Sequence, residues 1–376
     1  MASDVRPAGP PVPSDGVPPG AVQSAPVESA PVPSGAVPPA AGPSGGVPPG
    51  AAPADDGDRP RAIAAPASAG DRVFRGVLRV AGLSVFLIMG LIAFFLMLRG
   101  SQALREVGWS FFTEQRWQTA AHRFGIAAVL PQGLLIALVA LCIAVPVSLT
   151  AAVFVAEYAP VRLRSVLISL VDLMAAIPSI VYGLWGLFFL QPRIVGLVRW
   201  TALHLGGAVP FLEVRTGDIG TSYTSSTFIA GVVVSLMIIP IITSLSREVF
   251  SQAPQGEREG AYALGSSRWG MVRTVVLPFG RGGVVGAVML GFGRAMGETI
   301  AVALIISPSF EVTGHILENG ANSISALIAL RFGESDPLSL SALMAAGLVL
   351  FALTLLVNLA AGVVINRSRS GAATAD

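Results

Sequence analysis

The chain has 376 residues, of which 53% are hydrophobic and 12% charged, and its formal net charge is +2. Soluble domains carry about 25% charged residues, so this composition excludes an ordinary soluble protein and indicates a polytopic membrane protein. Lysine is absent, which excludes Schiff-base chemistry and the lysine of a phosphate-binding P-loop. The chain is therefore expected not to hydrolyse ATP by that route, and neither an enzymatic activity nor a cofactor of its own is expected of it. One cysteine, Cys142, and three scattered histidines predict no disulfide framework and no metal site.

Residues 1–70 differ in composition from the rest of the chain, because proline, glycine, alanine, serine and valine dominate them. A short degenerate repeat occurs at 12–20, 32–40 and 42–50, and each copy ends in Val-Pro-Pro and a small residue. Proline removes backbone donors and glycine raises the entropic cost of ordering, so no core is expected here. The segment is predicted to be a disordered, low-complexity cytoplasmic tail, with docking of a proline-binding partner as the alternative.

Six apolar runs follow the tail and make residues 71–370 a predicted transmembrane domain. Each run reaches the roughly 20 residues that a helix needs to cross a bilayer, so the fold class is an all-α membrane protein. A helix break is predicted at Pro178, because proline removes a backbone hydrogen bond. The predicted spans are 78–98, 126–155, 165–190, 226–250, 283–307 and 341–365.

The distribution of arginine indicates the orientation in the membrane. With both termini in the cytoplasm, the flanks on that side hold 12 arginines in 65 residues, whereas the opposite loops hold 8 in 94. Arginine and lysine concentrate in cytoplasmic loops, so the N- and C-termini are both predicted to be cytoplasmic. The strongest local signal is the group of Arg72, Arg75 and Arg79 just before the first span.

The loop between the fourth and fifth predicted spans has a distinctive spacing. Glu259 is followed by Ala261 two positions later, by Gly265 six positions later, and by Leu-Pro at 277–278. A helix is predicted over 257–264, ending at Gly265, and a second one over 268–276, stopping at Pro278. This spacing resembles the EAA coupling loop of the membrane subunits of bacterial ABC importers. The resemblance implies coupling to a separate ATPase through Glu259, Ala261, Leu264, Gly265, Leu277 and Pro278, and Trp269 offers a further apolar contact.

Two charged residues lie inside the fifth predicted span. Arg294 and Glu298 are four residues apart and would share one face of a continuous helix. An unpaired charge in a bilayer costs several kcal/mol, so the two are expected to pair and to face the interior of the bundle. Gly293, Gly297 and Ala301 form a neighbouring stripe of small residues, which would let another helix approach closely.

The donor fork of arginine matches phosphate oxygens, so Arg294 and Glu298 are candidates for a substrate pathway, with a purely structural ion pair as the alternative. A second candidate group surrounds the predicted helix break. These residues are expected to line a cavity: Pro178, Ser179 and Tyr182.

Three further stretches resemble the PstC-type phosphate permeases, which are binding-protein-dependent inner-membrane components of type I ABC importers. They are 176–186, 239–248 and 293–302, and the resemblance covers roughly residues 75–368. It implies six transmembrane helices in a MetI-like arrangement, and a permease subunit that moves inorganic phosphate inward by alternating access. It also implies that Arg294 and Glu298 serve the passage of phosphate. Two positions depart from the family pattern: Gly260 stands where alanine is usual, and 131–132 replace a small polar pair.

The resemblance also implies partners in a bacterial cytoplasmic membrane. They are a homologous permease subunit (PstA-like), a cytoplasmic ATPase dimer that uses ATP and Mg²⁺ (PstB-like), and an extracytoplasmic phosphate-binding protein (PstS-like). The lipid bilayer is the remaining partner, and no nucleic acid is expected. The alternatives are an importer of another oxyanion, such as molybdate or sulfate, or of an organic solute, a stand-alone secondary carrier, and a membrane sensor. A stand-alone carrier would transport without an ATPase, driven by an ion gradient.

Overall fold

The structure is a computed structural model that describes residues 69–214, 223–306, 314–334 and 336–369. The predicted tail at 1–70 lies outside the described residues, except for its last two positions, which begin the first helix. Within the described chain, helices account for almost all regular structure, and one two-stranded antiparallel hairpin joins them.

The helices and strands are numbered in chain order. The helices are α1 Ala69–Val107, α2 Ser110–Thr113, α3 Leu130–Val153, α4 Val161–Ala176, α5 Ser179–Trp185, α6 Gln191–Leu205, α7 Thr227–Ser251, α8 Gln255–Ala263, α9 Arg268–Met271, α10 Leu277–Gly297, α11 Ile300–Ile305, α12 Ile324–Arg331 and α13 Pro337–Arg369. The strands are β1 Trp117–Gln118 and β2 Arg123–Phe124. π-helical turns at Phe154–Tyr158, Gly186–Leu190 and Val272–Val276 follow α3, α5 and α9.

Six helical segments of the described chain are long and apolar enough to cross a membrane, which confirms the predicted number. They are Ala69–Val107, Ile126–Tyr158, Ser179–Leu205, Thr227–Ser251, Arg268–Gly297 and Pro337–Val363. The bounds of the third and fifth segments differ from the prediction. An apolar run of about 20 residues shows that a segment belongs in the bilayer, but it carries no information on where the backbone leaves the helix.

The third predicted span, 165–190, is two helices rather than one. α4 ends at Ala176 and α5 begins at Ser179, so the break predicted at Pro178 is confirmed. The residue before a proline is pushed to an extended conformation, and Ile177 has φ of −66° and ψ of 128°.

The core of the bundle is a cluster of buried apolar side chains on α3, α7, α10 and α11. A second cluster lies around the β-hairpin and the start of α13, and a third at the ends of α3 and α7. α1 packs along α13, and none of its most apolar stretch is buried within the chain. Such a surface suits a lipid environment, because lipid tails are as apolar as the side chains that face them.

Candidate coupling and transport site

α8 and the turn after it form the segment that the sequence predicts to be a coupling element. α8 ends at Ala263, and Gly265 adopts a left-handed conformation with φ of +81°. The N–H of Gly265 donates to Tyr262 O at 2.9 Å, and the N–H of Ser266 donates to Ala261 O at 3.1 Å, as in a Schellman cap. A left-handed position favours glycine, because a Cβ would crowd the next carbonyl. The predicted helix and its end at Gly265 are confirmed.

The residues of this loop divide into inward-facing and accessible ones. Ala261 packs against the cluster at the ends of α3 and α7. Leu264 is 90% exposed, and Trp269 in α9 is 57% exposed. Glu259 is exposed too, and it accepts a hydrogen bond from Gln255 Nε2 at 3.0 Å. Glu259, Leu264 and Trp269 are therefore accessible to a partner, whereas Ala261 holds α8 against its own chain.

The second helix of the loop does not stop at Pro278, so that prediction is wrong. α9, the π-helical turn and α10 run on continuously to Gly297. Pro278 lies in the first turn of α10, directly after the π-helical turn, which widens the hydrogen-bond spacing. The missing N–H of the proline is accommodated at this shift. Leu277 is half-buried against the same cluster as Ala261, so it also faces inward.

An ion pair beside α8 was not predicted from the sequence. Arg258 Nη1 lies 3.0 Å from Glu157 Oε1, which belongs to the π-helical turn after α3. The two side chains are 21% and 6% exposed, and their contact lacks the alignment of a hydrogen bond. The partners sit on different helices far apart in the chain, so no local spacing reveals them. An acidic residue at the very end of an apolar run is the only signal of the pair in the sequence.

The fifth predicted span, 283–307, breaks between the two charged residues. α10 ends directly before Glu298, which is extended with φ of −66° and ψ of 127°. Its Oε1 accepts the N–H of Ala301 at 3.2 Å, and its carbonyl oxygen accepts the hydroxyl of Ser325 at 2.7 Å. The prediction that Arg294 and Glu298 share one helix and pair is therefore wrong. The carboxylate, only 7% exposed, instead caps the first turn of α11.

Arg294 and Glu298 nevertheless line the same cavity, which has a volume of about 590 Å³ and is formed by α7, α10 and α13. We call it the Arg294 cavity. Arg294 is exposed and makes no ion pair within 4.0 Å with any described residue. A Cβ placed on Gly293 or Gly297 would meet nothing within 4 Å, so these glycines face open space. The guanidinium is thus free to attract an anion.

Ala301, the third residue of the predicted small-residue stripe, packs closely against another helix. A Cβ built on Gly183 of α5 would lie 2.8 Å from the Cα of Ala301 in α11. Real Cβ contacts are longer, so only glycine at 183 allows the two helices to approach this closely. The two helices that follow the breaks therefore pack directly on each other.

A hydrogen bond spans the break at Pro178. In a continuous helix, the carbonyl of Met174 would accept the N–H of residue 178, but proline has none. The Tyr182 hydroxyl donates to that carbonyl at 2.9 Å, and the N–H of Ile177 reaches it only at 3.4 Å.

Pro178, Ser179 and Tyr182 are not among the residues that line the Arg294 cavity. The structure shows Tyr182 as a residue that satisfies a freed carbonyl. Their role as cavity-lining residues stays a prediction.

Residues 144–370 match the family described as binding-protein-dependent transport system inner membrane component. The chain belongs to this family. Phosphate transport system permease protein PstC 2 of Mycobacterium tuberculosis is 41% identical to this permease over 300 residues, which cover 79% of the chain and 92% of that relative. Phosphate transport system permease protein PstC of Haemophilus influenzae is 37% identical over 287 residues, which cover 76% of this chain and 90% of that relative. The resemblance to PstC-type permeases is confirmed.

A solved structure has the same fold. The crystal structure of a bacterial ABC transporter involved in the import of the acidic polysaccharide alginate matches this permease with a TM-score of 0.51. The match covers 79% of this chain and 99% of that one, at 16% identity. It shows the arrangement of helices alone and carries nothing about cargo.

Proposed function

We propose that this permease is the membrane-spanning subunit of an ATP-driven importer of inorganic phosphate. The observation that carries the proposal is the capped helix α8 together with the turn and α9 that follow it, which leave Glu259, Leu264 and Trp269 accessible to a partner. In a PstC-type permease, this is the element that a separate ATPase would contact. The relatives named phosphate transport permeases support the choice of cargo.

The transmission of motion follows from the covalent path. α8 lies between α7 and the continuous segment Arg268–Gly297, so a push on the loop acts on two membrane-crossing helices at once. At its far end, this segment carries Arg294 and the break at Glu298. Closure of the ATPase would therefore alter the Arg294 cavity through a single run of helix, as alternating access requires. ATP and Mg²⁺ are bound by the ATPase and not by this chain.

Arg294 and Glu298 have separate roles in this proposal. Arg294 is exposed to its cavity without an ion-pair partner within 4.0 Å, so its donor fork is available to an oxyanion. Glu298 has a structural role in the break, because its Oε1 accepts the N–H of Ala301 at the start of α11. We assign attraction of phosphate to Arg294, and the shape of the break to Glu298.

The assembly around this subunit is part of the proposal. The arginine bias supports cytoplasmic N- and C-termini, which puts α8 on the side of the ATPase dimer. A second, homologous permease subunit would complete the membrane part, and an extracytoplasmic phosphate-binding protein would dock on the opposite face. Selectivity would then reside mainly in the binding protein, so the permease needs no tight phosphate site.

The test is purification of the complete complex through a tag on this chain, followed by reconstitution in liposomes. We expect an ATPase and a binding protein to co-purify, and inorganic phosphate with the binding protein to stimulate ATP hydrolysis. Uptake of phosphate should require ATP on the side of the liposome membrane where the ATPase lies. Sulfate and molybdate should not replace phosphate. Uptake by this chain alone, driven by an ion gradient, would contradict the proposal.

Arg294→Gln tests the assignment within the site. We expect normal assembly and strongly reduced phosphate uptake, because the amide keeps the polarity of the side chain but removes its charge. Arg193→Gln is the matched control, since that guanidinium stacks on Phe189 at 3.7 Å, away from the cavity. Wild-type uptake in Arg294→Gln at normal expression would refute the role of this residue.

A further inference from the structure

Arg258 of α8 contacts two other elements of the chain through its guanidinium. Nη1 lies 3.0 Å from Glu157 Oε1, in the turn that follows α3. Nη2 donates a hydrogen bond of 2.7 Å to the carbonyl oxygen of Phe250, in the last turn of α7. One side chain therefore joins the loop helix to the ends of two membrane-crossing helices.

The carbonyl of Phe250 is an acceptor that the sequence leaves open. In a continuous helix it would accept the N–H of residue 254, but residue 254 is proline. The N–H of Ala253 reaches it at 3.3 Å, which leaves room for a second donor. The C-terminal end of a helix also carries partial negative charge, so a cation is favoured there. Arg258 thus sits between a carboxylate and the negative end of α7.

Arginine suits this position better than lysine. Its planar guanidinium holds donors in a fixed fork, so it can address Glu157 and Phe250 O at the same time. The apolar cluster of α3, α7 and the segment from Met271 to Val276 lies beside the pair, and Ala261 of α8 packs on that cluster. α8 is therefore fixed both by apolar packing and by two polar contacts of one residue.

A nearly buried ion pair contributes little net stability, because desolvation of the two charges offsets most of their attraction. Its geometry is nonetheless specific, since both partners are held on helix ends. A pair of this kind determines how α8 is oriented more than how stably the bundle folds.

We propose that Arg258 is a positioning residue that makes α8 and the ends of α3 and α7 move as one rigid unit. A displacement of α8 by the ATPase then reaches two membrane-crossing helices directly, in addition to the covalent path through α9. This inference rests on the proposed function, because it assumes that an ATPase moves α8.

The first experiment compares Arg258→Gln and Glu157→Gln in the complete complex reconstituted in liposomes. The measured quantity is the number of phosphate ions transported per ATP hydrolysed. We expect normal assembly, continued ATP hydrolysis, and a ratio lower by roughly tenfold, within the range of coupling between protein sites. Arg258→Lys, which keeps the ion pair but not the fork, should give an intermediate ratio. Glu248→Gln is the matched control, since Glu248 pairs with Arg247 at 3.5 Å beside the same end of α7.

The second experiment does not depend on the stability of the charge variants. In a Cys142→Ala background, Glu157→Cys and Arg258→Cys are combined and bridged by a short bifunctional methanethiosulfonate reagent. We expect the bridged complex to transport at the wild-type ratio, and the unbridged double variant to be uncoupled. If bridging blocks transport and reduction restores it, α8 must move relative to α3, and the proposal is overturned.

The outcomes separate this inference from the proposed function. A wild-type complex that neither takes up phosphate nor responds to it by hydrolysing ATP contradicts the proposed function. A wild-type complex that does both, with an unchanged ratio in Arg258→Gln and Glu157→Gln, contradicts only the role of Arg258.

Discussion

Gly265 offers a sharp test of the loop, because the same substitution at a nearby glycine should have the opposite effect. Gly265 has φ of +81°, and a Cβ there would meet nothing within 4 Å. The cost of Gly265→Ala is therefore the torsional cost of a left-handed alanine, about 1–2 kcal/mol. Such a cost lowers the population of the capped turn by a factor of roughly 5–30.

Gly260 is the matched control, on the interior of α8. A Cβ there also meets nothing within 4 Å, but Gly260 is not among the described residues with positive φ. Alanine is favoured over glycine in a helix by about 0.8–1.0 kcal/mol, so Gly260→Ala should strengthen α8. Gly260 is also one of the two places where the sequence departs from the family pattern.

The assay is amide hydrogen exchange of the intact complex, followed at the N–H of Ser266, which donates to Ala261 O at 3.1 Å. Gly265→Ala should speed this exchange and reduce the phosphate transported per ATP, while Gly260→Ala should slow it. Gly265→Asn should fall between wild type and Gly265→Ala, since asparagine tolerates the left-handed region better. Equal exchange in both alanine variants would refute the assignment of the cap.

Three further predictions concern the helix breaks and the start of α13. Glu298→Ala removes the acceptor for the N–H of Ala301 and should lower the free energy of unfolding by about 1 kcal/mol. Glu298→Gln should lower it less, because its amide oxygen still accepts. Thermal unfolding in detergent compares the two variants. Gly183→Val forces side-chain atoms against Ala301 and should cost about 1–3 kcal/mol by the same measurement, with Gly196→Val, where a Cβ meets nothing within 4 Å, as control. Asp336 stands directly before α13. The nearby hydroxyl of Ser339 holds the pKa of the Asp336 carboxyl below its usual value, and so does the backbone N–H of Ser339, which donates to Oδ1 at 3.3 Å. The carboxylate therefore stabilises the fold above the unfolded-state pKa of about 3.9, and this contribution disappears as the pH falls through the lower folded-state pKa. Asp336→Asn should thus melt below wild type at neutral pH and together with it in strong acid, and a gap that persists in acid would contradict this reasoning.

The number of membrane-crossing segments and the end of α8 were predictable because each depends on local physics. The thickness of a bilayer sets the length of an apolar run, and a left-handed turn after a helix favours glycine. Gly265 sits at such a turn, so its spacing from Glu259 was sufficient to place the helix end.

Prolines gave a less reliable signal. Pro178 lies at a helix break, whereas Pro278 lies within a continuous helical segment, although both have apolar neighbours in the sequence. A proline marks a missing hydrogen bond, but neighbouring residues decide whether the chain bends or shifts its register through a π-helical turn. That decision depends on packing, which the sequence alone does not show.

The charged residues required tertiary information. The spacing of four residues predicted that Arg294 and Glu298 lie side by side on one helix. In the structure the helix ends before Glu298, and its carboxylate accepts the N–H of Ala301 instead. The pair of Glu157 and Arg258 joins two helices that no local pattern connects. For buried charges, the partner determines the role, and the partner is set by the fold.

The breaks at Pro178 and Pro254 share one construction. Pro178 and Pro254 each strand the carbonyl four residues before them, and each stranded carbonyl accepts a donor from the side chain four residues after the proline. These donors are Tyr182 and Arg258. In each case a side chain supplies the hydrogen bond that the proline removes, and so holds the helix after the break at a fixed angle to the helix before it. Removing the side-chain donor would free the angle between the two helices, and replacing the proline would favour one continuous helix.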